Sequence, residues 1–236
     1  MRGSALKNFL LNLFFPKQCF GCQREGEYLC QDCVSIVEVM ENSFCLCENP
    51  RMLPEAGKCR DCRQKNLDGL FFAVSFKNNL IKKIIHQFKY EPYIKAFSQP
   101  LVSLIITHFN LIQKSFVLDN YILVPVPLTK QKIKKRGFNQ SEEMAKELSG
   151  NLKIPLASDV LFKEKETISQ MELSADLRRK NVEGVFSAKN GEKVKDKKIL
   201  LVDDVYTTGA TMEECAKTLK RAGAKEVWGV AVAREK

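Results

Sequence analysis

The chain has 236 residues, 44% of them hydrophobic, and a formal net charge of +10. That is room for one domain, or a domain with an appendage, and enough apolar residue for a real core, which excludes a disordered or low-complexity chain. The basic balance suits an anionic partner, sugar diphosphate or nucleic acid alike. It is uneven: residues 1–65 hold nine Lys/Arg against eight Asp/Glu, and residues 66–236 hold twenty-nine against twenty.

Residues 1–15 carry Arg2, Lys7 and an apolar stretch from Phe9 to Phe15 broken by Asn12. The stretch lacks a small-residue cleavage site and is too short to span a bilayer. It is expected as a helix with its apolar side on the body, with weak contact to a membrane surface as the lesser reading. Eight of the nine cysteines follow, between Cys19 and Cys62. With no secretory leader, their paired spacing points to metal in a reducing cytoplasm rather than to disulfides.

Cys19-x-x-Cys22 and Cys30-x-x-Cys33 form two knuckles able to hold one zinc through four thiolates. Cys45-x-Cys47 and Cys59-x-x-Cys62 form a second set, its first pair one residue tighter than usual. Zinc is expected at one or two sites, and spacing leaves sequential and interleaved pairing both open. Such closed sites are structural. Cys215 stands apart and reads as a small core residue.

Leu70 to Phe76 is an apolar run, and Leu80, Ile81, Ile84, Ile85 and Phe88 then fall at helical spacing. His86 lies on that helix without a nearby partner and reads as structural, while Lys89, at the helix end beside Tyr90, is a candidate ligand contact. Leu101 to Ile112 suggests another helix, on which His108 has no evident chemical partner. Tyr121 to Val126 reads as a strand stiffened by Pro125 and Pro127. Residues 130–136 then hold five cations in seven positions. Between a strand and a helix expected over Ser141–Leu148, they read as a diphosphate-binding loop, with Arg136 the best suited to phosphate oxygens. Residues 160–186 are polar in the middle and lack a sustained period, the pattern of a mobile arm beside a site.

The most informative stretch is 198–212. Ile199 to Val202 is the apolar run of a strand buried on both faces, expected to end at Asp203 and Asp204. Thr207-Thr208-Gly209-Ala210-Thr211 leads into a helix expected from Met212 to Ala222. Backbone N–H groups and a helix N-terminus suit a phosphate there, and the two carboxylates suit the vicinal diol of a ribose. Glu226 to Ala233 is a final strand. Strands alternating with helices from about residue 120 onward indicate a mostly parallel α/β sheet.

The string from Val202 to Thr211 resembles the motif with which type I phosphoribosyltransferases bind 5-phosphoribosyl 1-diphosphate (PRPP). Nearly the whole chain resembles the ComF family. The strings that carry the likeness are Cys19-x-x-Cys22…Cys30-x-x-Cys33, Val124-Pro-Val-Pro-Leu128, Arg136-Gly-Phe-Asn-Gln140, Thr167-x-x-Gln170-x-x-Leu173, Arg178-x-x-Asn181 and Val202-Asp-Asp-Val-Tyr-Thr-Thr-Gly-Ala-Thr211. The resemblance implies a type I phosphoribosyltransferase-like fold over residues 66–236 and a Cys-rich zinc-ribbon module over residues 1–65. It implies a PRPP site built from Lys89, Arg136, Asp203, Asp204, Val205, Tyr206, Thr207, Thr208, Gly209, Ala210 and Thr211, with Mg²⁺ accompanying PRPP. Thr167, Gln170, Arg178 and Asn181 would belong to the flexible loop.

A cytoplasmic protein handling single-stranded DNA during natural transformation is further implied, with a helicase or other competence proteins as partners. Three positions depart from the expected patterns: the shortened Cys45-x-Cys47 pair, Lys163 where relatives carry Arg, and Thr207. Purine-salvage enzymes of the wider fold place an aspartate base where Thr207 stands. Two functions are therefore expected to compete, a PRPP-binding protein of DNA uptake and an active phosphoribosyltransferase with an unidentified acceptor.

Overall fold

The computed structural model describes residues 16–91, 93–112, 120–167, 177 and 181–235. The apolar stretch 9–15 lies outside them, as do Gln170 and Arg178 of the expected loop. In chain order the elements are α1 (Gln31–Ser35), β1 (Ser43–Phe44), β2 (Met52–Leu53), β3 (Gly69–Ser75), α2 (Asn79–Lys89) and α3 (Ser98–Leu111). They continue with β4 (Tyr121–Pro125), α4 (Lys130–Arg136), α5 (Gln140–Leu152), β5 (Leu161–Lys163), β6 (Phe186–Ala188), β7 (Lys198–Tyr206), α6 (Ala210–Arg221) and β8 (Glu226–Arg234).

Four strands form the expected parallel sheet in the order β3-β8-β7-β4. The near-continuous apolar runs of β3, β7 and β8 are buried because helices cover both faces. On one face Phe71, Leu123, Leu200, Val202 and Val230 meet Ile84 and Phe88 of α2, Leu101 and Ile105 of α3 and Met144 of α5. On the other face Phe72, Val124, Ile199, Leu201 and Ala231 meet Met212, Cys215 and Leu219 of α6. Cys215 is the small core residue expected from its isolation.

Two local expectations are corrected. The cation run 130–136 is a helix, not a loop: Thr129 caps it, accepting from Lys132 N–H, and Gly137 closes it at φ 80°. Local capping chemistry outweighed the charge density. Strand β7 does not stop at Val202 but runs to Tyr206, because its backbone stays paired with β8 through Tyr206↔Arg234. The two aspartates therefore lie inside the strand, with their alternating side chains fixed by the ladder.

The topology locates a crevice. After α5 the chain returns beside the outer edge of β4, where Leu156 bridges Leu123 in parallel. Thus α5 leaves β4 outward over one face, while α6 leaves β7 inward over the other. The carboxyl ends of β4 and β7 are where the winding reverses, the place where open α/β sheets hold ligands.

The cysteine-rich segment is wrapped around the sheet. Cys19, Leu29, Cys33 and Val37 join the core on the α2/α3 face, whereas Cys45, Leu46 and Cys62 join the core on the α6 face. Between them the chain crosses the exposed edge of β3, where Met40 N–H donates to Ala73 O at 2.7 Å. His108 fastens the crossing, its Nδ1 donating to Met40 O at 2.6 Å. Burial lowers the pKa of His108, which suits this neutral, structural role.

Candidate functional site

The eight cysteines sort sequentially. Cys19, Cys22, Cys30 and Cys33 form one cluster and Cys45, Cys47, Cys59 and Cys62 the other, and the sulfurs of each lie within 4.8 Å of one another. Sγ–Sγ separations of 3.6 Å for Cys19–Cys30 and Cys22–Cys30, and 3.4 Å for Cys47–Cys59, are far longer than a disulfide of about 2.05 Å. They approach the edge of a tetrahedron with arms of about 2.3 Å, the zinc–thiolate length. The tight Cys45-x-Cys47 pair is accommodated because Arg51 N–H turns back to donate to Cys45 Sγ at 3.2 Å.

In each cluster one thiol is drawn toward thiolate while burial and the neighbouring thiols push another, Cys33 or Cys47, up to about 12. Burial would raise the Cys19 thiol, but backbone N–H groups of Cys30, Cys22 and Gly21 draw it down to about 6. Cys59 is drawn down to about 6 by the Cys47 side chain and by the N–H groups of Cys62 and Asp61, against the effect of burial. Each four-sulfur set fits a structural zinc ion.

At the crevice, Lys89, Arg136, Asp203–Thr207, Gly209, Ala210 and Thr211 line one cavity of about 460 Å³. Thr167 joins them and Asn181 does not. Thr208 is also absent from the lining; its hydroxyl accepts from Ala210 N–H at 3.4 Å inside the turn. Gly209 is required on two grounds. Its φ is 76°, and a Cβ there would stand 2.2 Å from the Tyr206 hydroxyl oxygen. As the residue before α6 it offers no side-chain cap, and the N-terminus of the helix lines the cavity at Ala210 and Thr211.

The carboxylates are unequal. Asp204 is buried and paired with Lys89, whose Nζ lies 2.9 Å from its Oδ1. Burial works against the Lys89 ammonium, but Asp204 and Asp203 more than offset it and hold its pKa above the ordinary lysine value. Asp203 accepts from the Ser141 hydroxyl at 2.9 Å. Burial and the adjacent Asp204 push Asp203 up to about 7, against the pull of Lys89 and Ser141. Lys89 pairs directly with Asp204, which leaves Asp203 favouring a ligand that donates hydrogen bonds.

Sequence reasoning missed several lining residues. Ser141 is not the helix cap expected; Asn139 takes that role, accepting from Ser141 N–H at 3.2 Å, which frees the Ser141 hydroxyl for Asp203. Gln140 Nε2 donates to Phe88 O at 2.7 Å, while its Oε1 accepts from Arg136 Nη1 at 3.0 Å. The guanidinium of Arg136 lies 5.8 Å from the Tyr90 ring centroid. The Arg136–Gln140 string thus aims Arg136 into the cavity by tying it to the end of α2. The i, i+4 spacing of that string was the available signal.

His86, which reads as structural in the sequence, also lines the cavity, as do Tyr90, Lys132 and Lys163. Lys163 donates to the Thr167 hydroxyl at 2.7 Å, and burial followed by the Lys132 charge lowers its pKa. Nothing local in the sequence marks Lys163, on β5, as a neighbour of Lys132, on α4; the tertiary fold brings both to the one cavity.

Residues 125–236 match the Phosphoribosyl transferase domain family. The chain is 31% identical over 208 residues to the competence protein ComFC of Streptococcus pneumoniae, covering 87% of each chain. It is 29% identical over 214 residues to ComFC of Bacillus subtilis, covering 85% of this chain and 81% of that protein. Against competence protein F of Haemophilus influenzae the identity is 39% over 112 residues, 46% of this chain; the match spans about half of that relative's length, 49%. No helix among the described residues is long and apolar enough to cross a membrane.

Proposed function

The chain belongs to the ComF family, and on that premise we propose that it binds PRPP with Mg²⁺ and handles single-stranded DNA during natural transformation. The observation that carries the reading is the cavity joining Asp203 and Asp204 to the glycine turn at the N-terminus of α6. A 5-phosphate suits the N–H groups of that turn, the Thr207 and Thr211 positions and the positive end of the helix. The ribose diol suits Asp203, whose carboxylate in the free protein accepts from the Ser141 hydroxyl. The diphosphate suits Arg136, Lys132 and Lys163, which line the same cavity. Mg²⁺ supplies charge neutralisation for the diphosphate.

Calorimetric titration with PRPP and Mg²⁺ tests the site, and absence of saturable heat refutes it. Release of diphosphate against nucleobases, ammonia and DNA tests the second reading, an active transferase. Thr207 stands where purine-salvage enzymes of the wider fold carry an aspartate base, so we expect binding without turnover above background.

The DNA half of the reading is supported by charge beside the cavity. Lys82 and Lys83 on α2 and Lys130, Lys134 and Lys135 on α4 are exposed, and their helices both reach the site. Single-stranded DNA is expected to bind with steep salt dependence. The double substitution Lys134→Ala and Lys135→Ala should lower the log–log slope by about one for each DNA phosphate that is no longer neutralised, while PRPP affinity is unchanged. DNA binding that ignores salt contradicts this half and leaves the PRPP half standing.

A further inference from the structure

Arg234, the last residue of β8, is 2% exposed, among the largest fully buried side chains of the protein. Its Nη1 donates to Cys45 O and its Nη2 to Cys47 O, each at 2.7 Å. Its guanidinium lies 5.4 Å from the Tyr206 ring centroid and 5.7 Å from that of Phe72. Nε has no hydrogen-bond partner among the described residues. An arginine buried this deeply is costly unless a counter-charge is near. The two carbonyls that hold it belong to two of the four cysteines of the second centre. Four thiolates outweigh a zinc dication, so a filled second cysteine centre supplies the counter-charge Arg234 requires.

A second tie joins the same two regions. Glu213, in the first turn of α6, accepts from Asn66 N–H, from Asn66 Nδ2 at 2.8 Å and from Leu67 N–H at 3.2 Å. Asn66 and Leu67 follow Cys62 closely in the chain. The phosphate-binding turn is thus gripped at both ends. Tyr206 enters it lying on Arg234, and Glu213 leaves it holding the segment below the second centre. The Tyr206 ring also fills the space beneath Gly209. The first cysteine centre lies on the opposite face of the sheet, with α2 and α3.

We propose that the second cysteine centre is the support of the phosphate-binding turn, with Arg234 and Glu213 as positioning residues through which its metal occupancy sets PRPP affinity. The inference rests on the PRPP reading of the cavity for its ligand, but its structural content does not. A turn that must present several N–H groups at once loses affinity when its backbone loosens. Linkage also runs in reverse: bound PRPP must slow metal loss from the second centre by the factor through which the metal tightens PRPP.

The test uses the full zinc-loaded chain and Arg234→Lys, which keeps the charge and loses the fork. Zinc release to a chelator is followed, with alkylation and peptide mapping to tell which cysteines are freed, together with amide exchange and PRPP titration. We expect Cys45, Cys47, Cys59 and Cys62 to be freed about tenfold faster, and Tyr206–Glu213 to lose about tenfold in protection, with α5 and the first centre unchanged. PRPP affinity should fall by a similar factor, and saturating PRPP should slow release at the second centre alone. Faster release with an unaltered turn overturns the proposal, as does loosening spread equally over α5. If Arg234→Lys does not fold, Glu213→Gln tests the other tie by the same readouts. If the unsubstituted protein fails to bind PRPP, the reading of the cavity falls, and exchange at the turn still decides whether the centre supports it.

Discussion

Asp203→Asn is expected to weaken PRPP binding about tenfold to a hundredfold, the value of one or two hydrogen bonds to a charged acceptor. The same substitution should raise the thermal midpoint of the ligand-free protein at about pH 8. Both follow from one cause. Burial and Asp204 push the Asp203 carboxyl from 3.8 to about 7, so its folded form resists ionisation. A raised folded pKa contributes stability that is fully present at low pH, below the unfolded value of 3.8. That contribution is lost as pH rises toward and through about 7. Above that the folded protein carries an uncomfortable charge, which Asn removes without changing shape. Thermal midpoints measured across pH should converge for the two proteins at about pH 4 and diverge at about pH 8. A variant no more stable at high pH, or one that binds PRPP as before, contradicts the assignment. The Asp203 carboxylate is thus held in a destabilised state that a further hydrogen-bond donor would relieve.

Residues 66–236 produced without the cysteine-rich segment should fail to give a soluble, cooperatively melting domain. Residues of the cysteine-rich segment join the core on both faces of the sheet, so the change in cysteine content at about residue 65 is expected to mark a boundary of chemistry more than of folding. Leu29 and Val37 on one face and Leu46 on the other are each worth roughly 1.5–3 kcal/mol of burial. Their loss together is comparable to the roughly 5–15 kcal/mol that holds an ordinary domain folded. The edge of β3 would lose its cover at Met40, and an open edge invites pairing with other chains. Arg234 would be left without the carbonyls of Cys45 and Cys47. A soluble 66–236 fragment with a sharp thermal transition refutes the strap. Chelation of the full chain should act in the same direction, because the metals close the loops that make the strap.

The sequence by itself determined the chemistry. Two four-cysteine sets, the Asp203–Asp204 pair, the hydroxyl-rich turn around Gly209 and the Arg136–Gln140 string all stand within short windows. Each depends on residue types at fixed spacing, which is what a sequence displays. The apolar runs of β3, β7 and β8 were equally legible, because strands buried on both faces have no polar alternation to hide them.

What only the tertiary structure decided are the relations between distant residues. Pairing of the cysteines needed two loops to close at once, and both sequential and interleaved closures were compatible with the spacing. The division of labour between the aspartates depends on Lys89 and Ser141, brought to β7 from α2 and α5 by helix packing. The helical state of 130–136 is the exception, since Thr129 and Gly137 are local caps that stand in the sequence and outweigh a charge run that by itself favours a loop. Arg234 reads in the sequence as one more terminal cation. Its burial between Tyr206 and the Cys45–Cys47 carbonyls exists because β8 lies inside the sheet and the cysteine segment wraps that end of it. A buried guanidinium is expensive unless its partners arrive from elsewhere in the chain, and only the assembled fold supplies them.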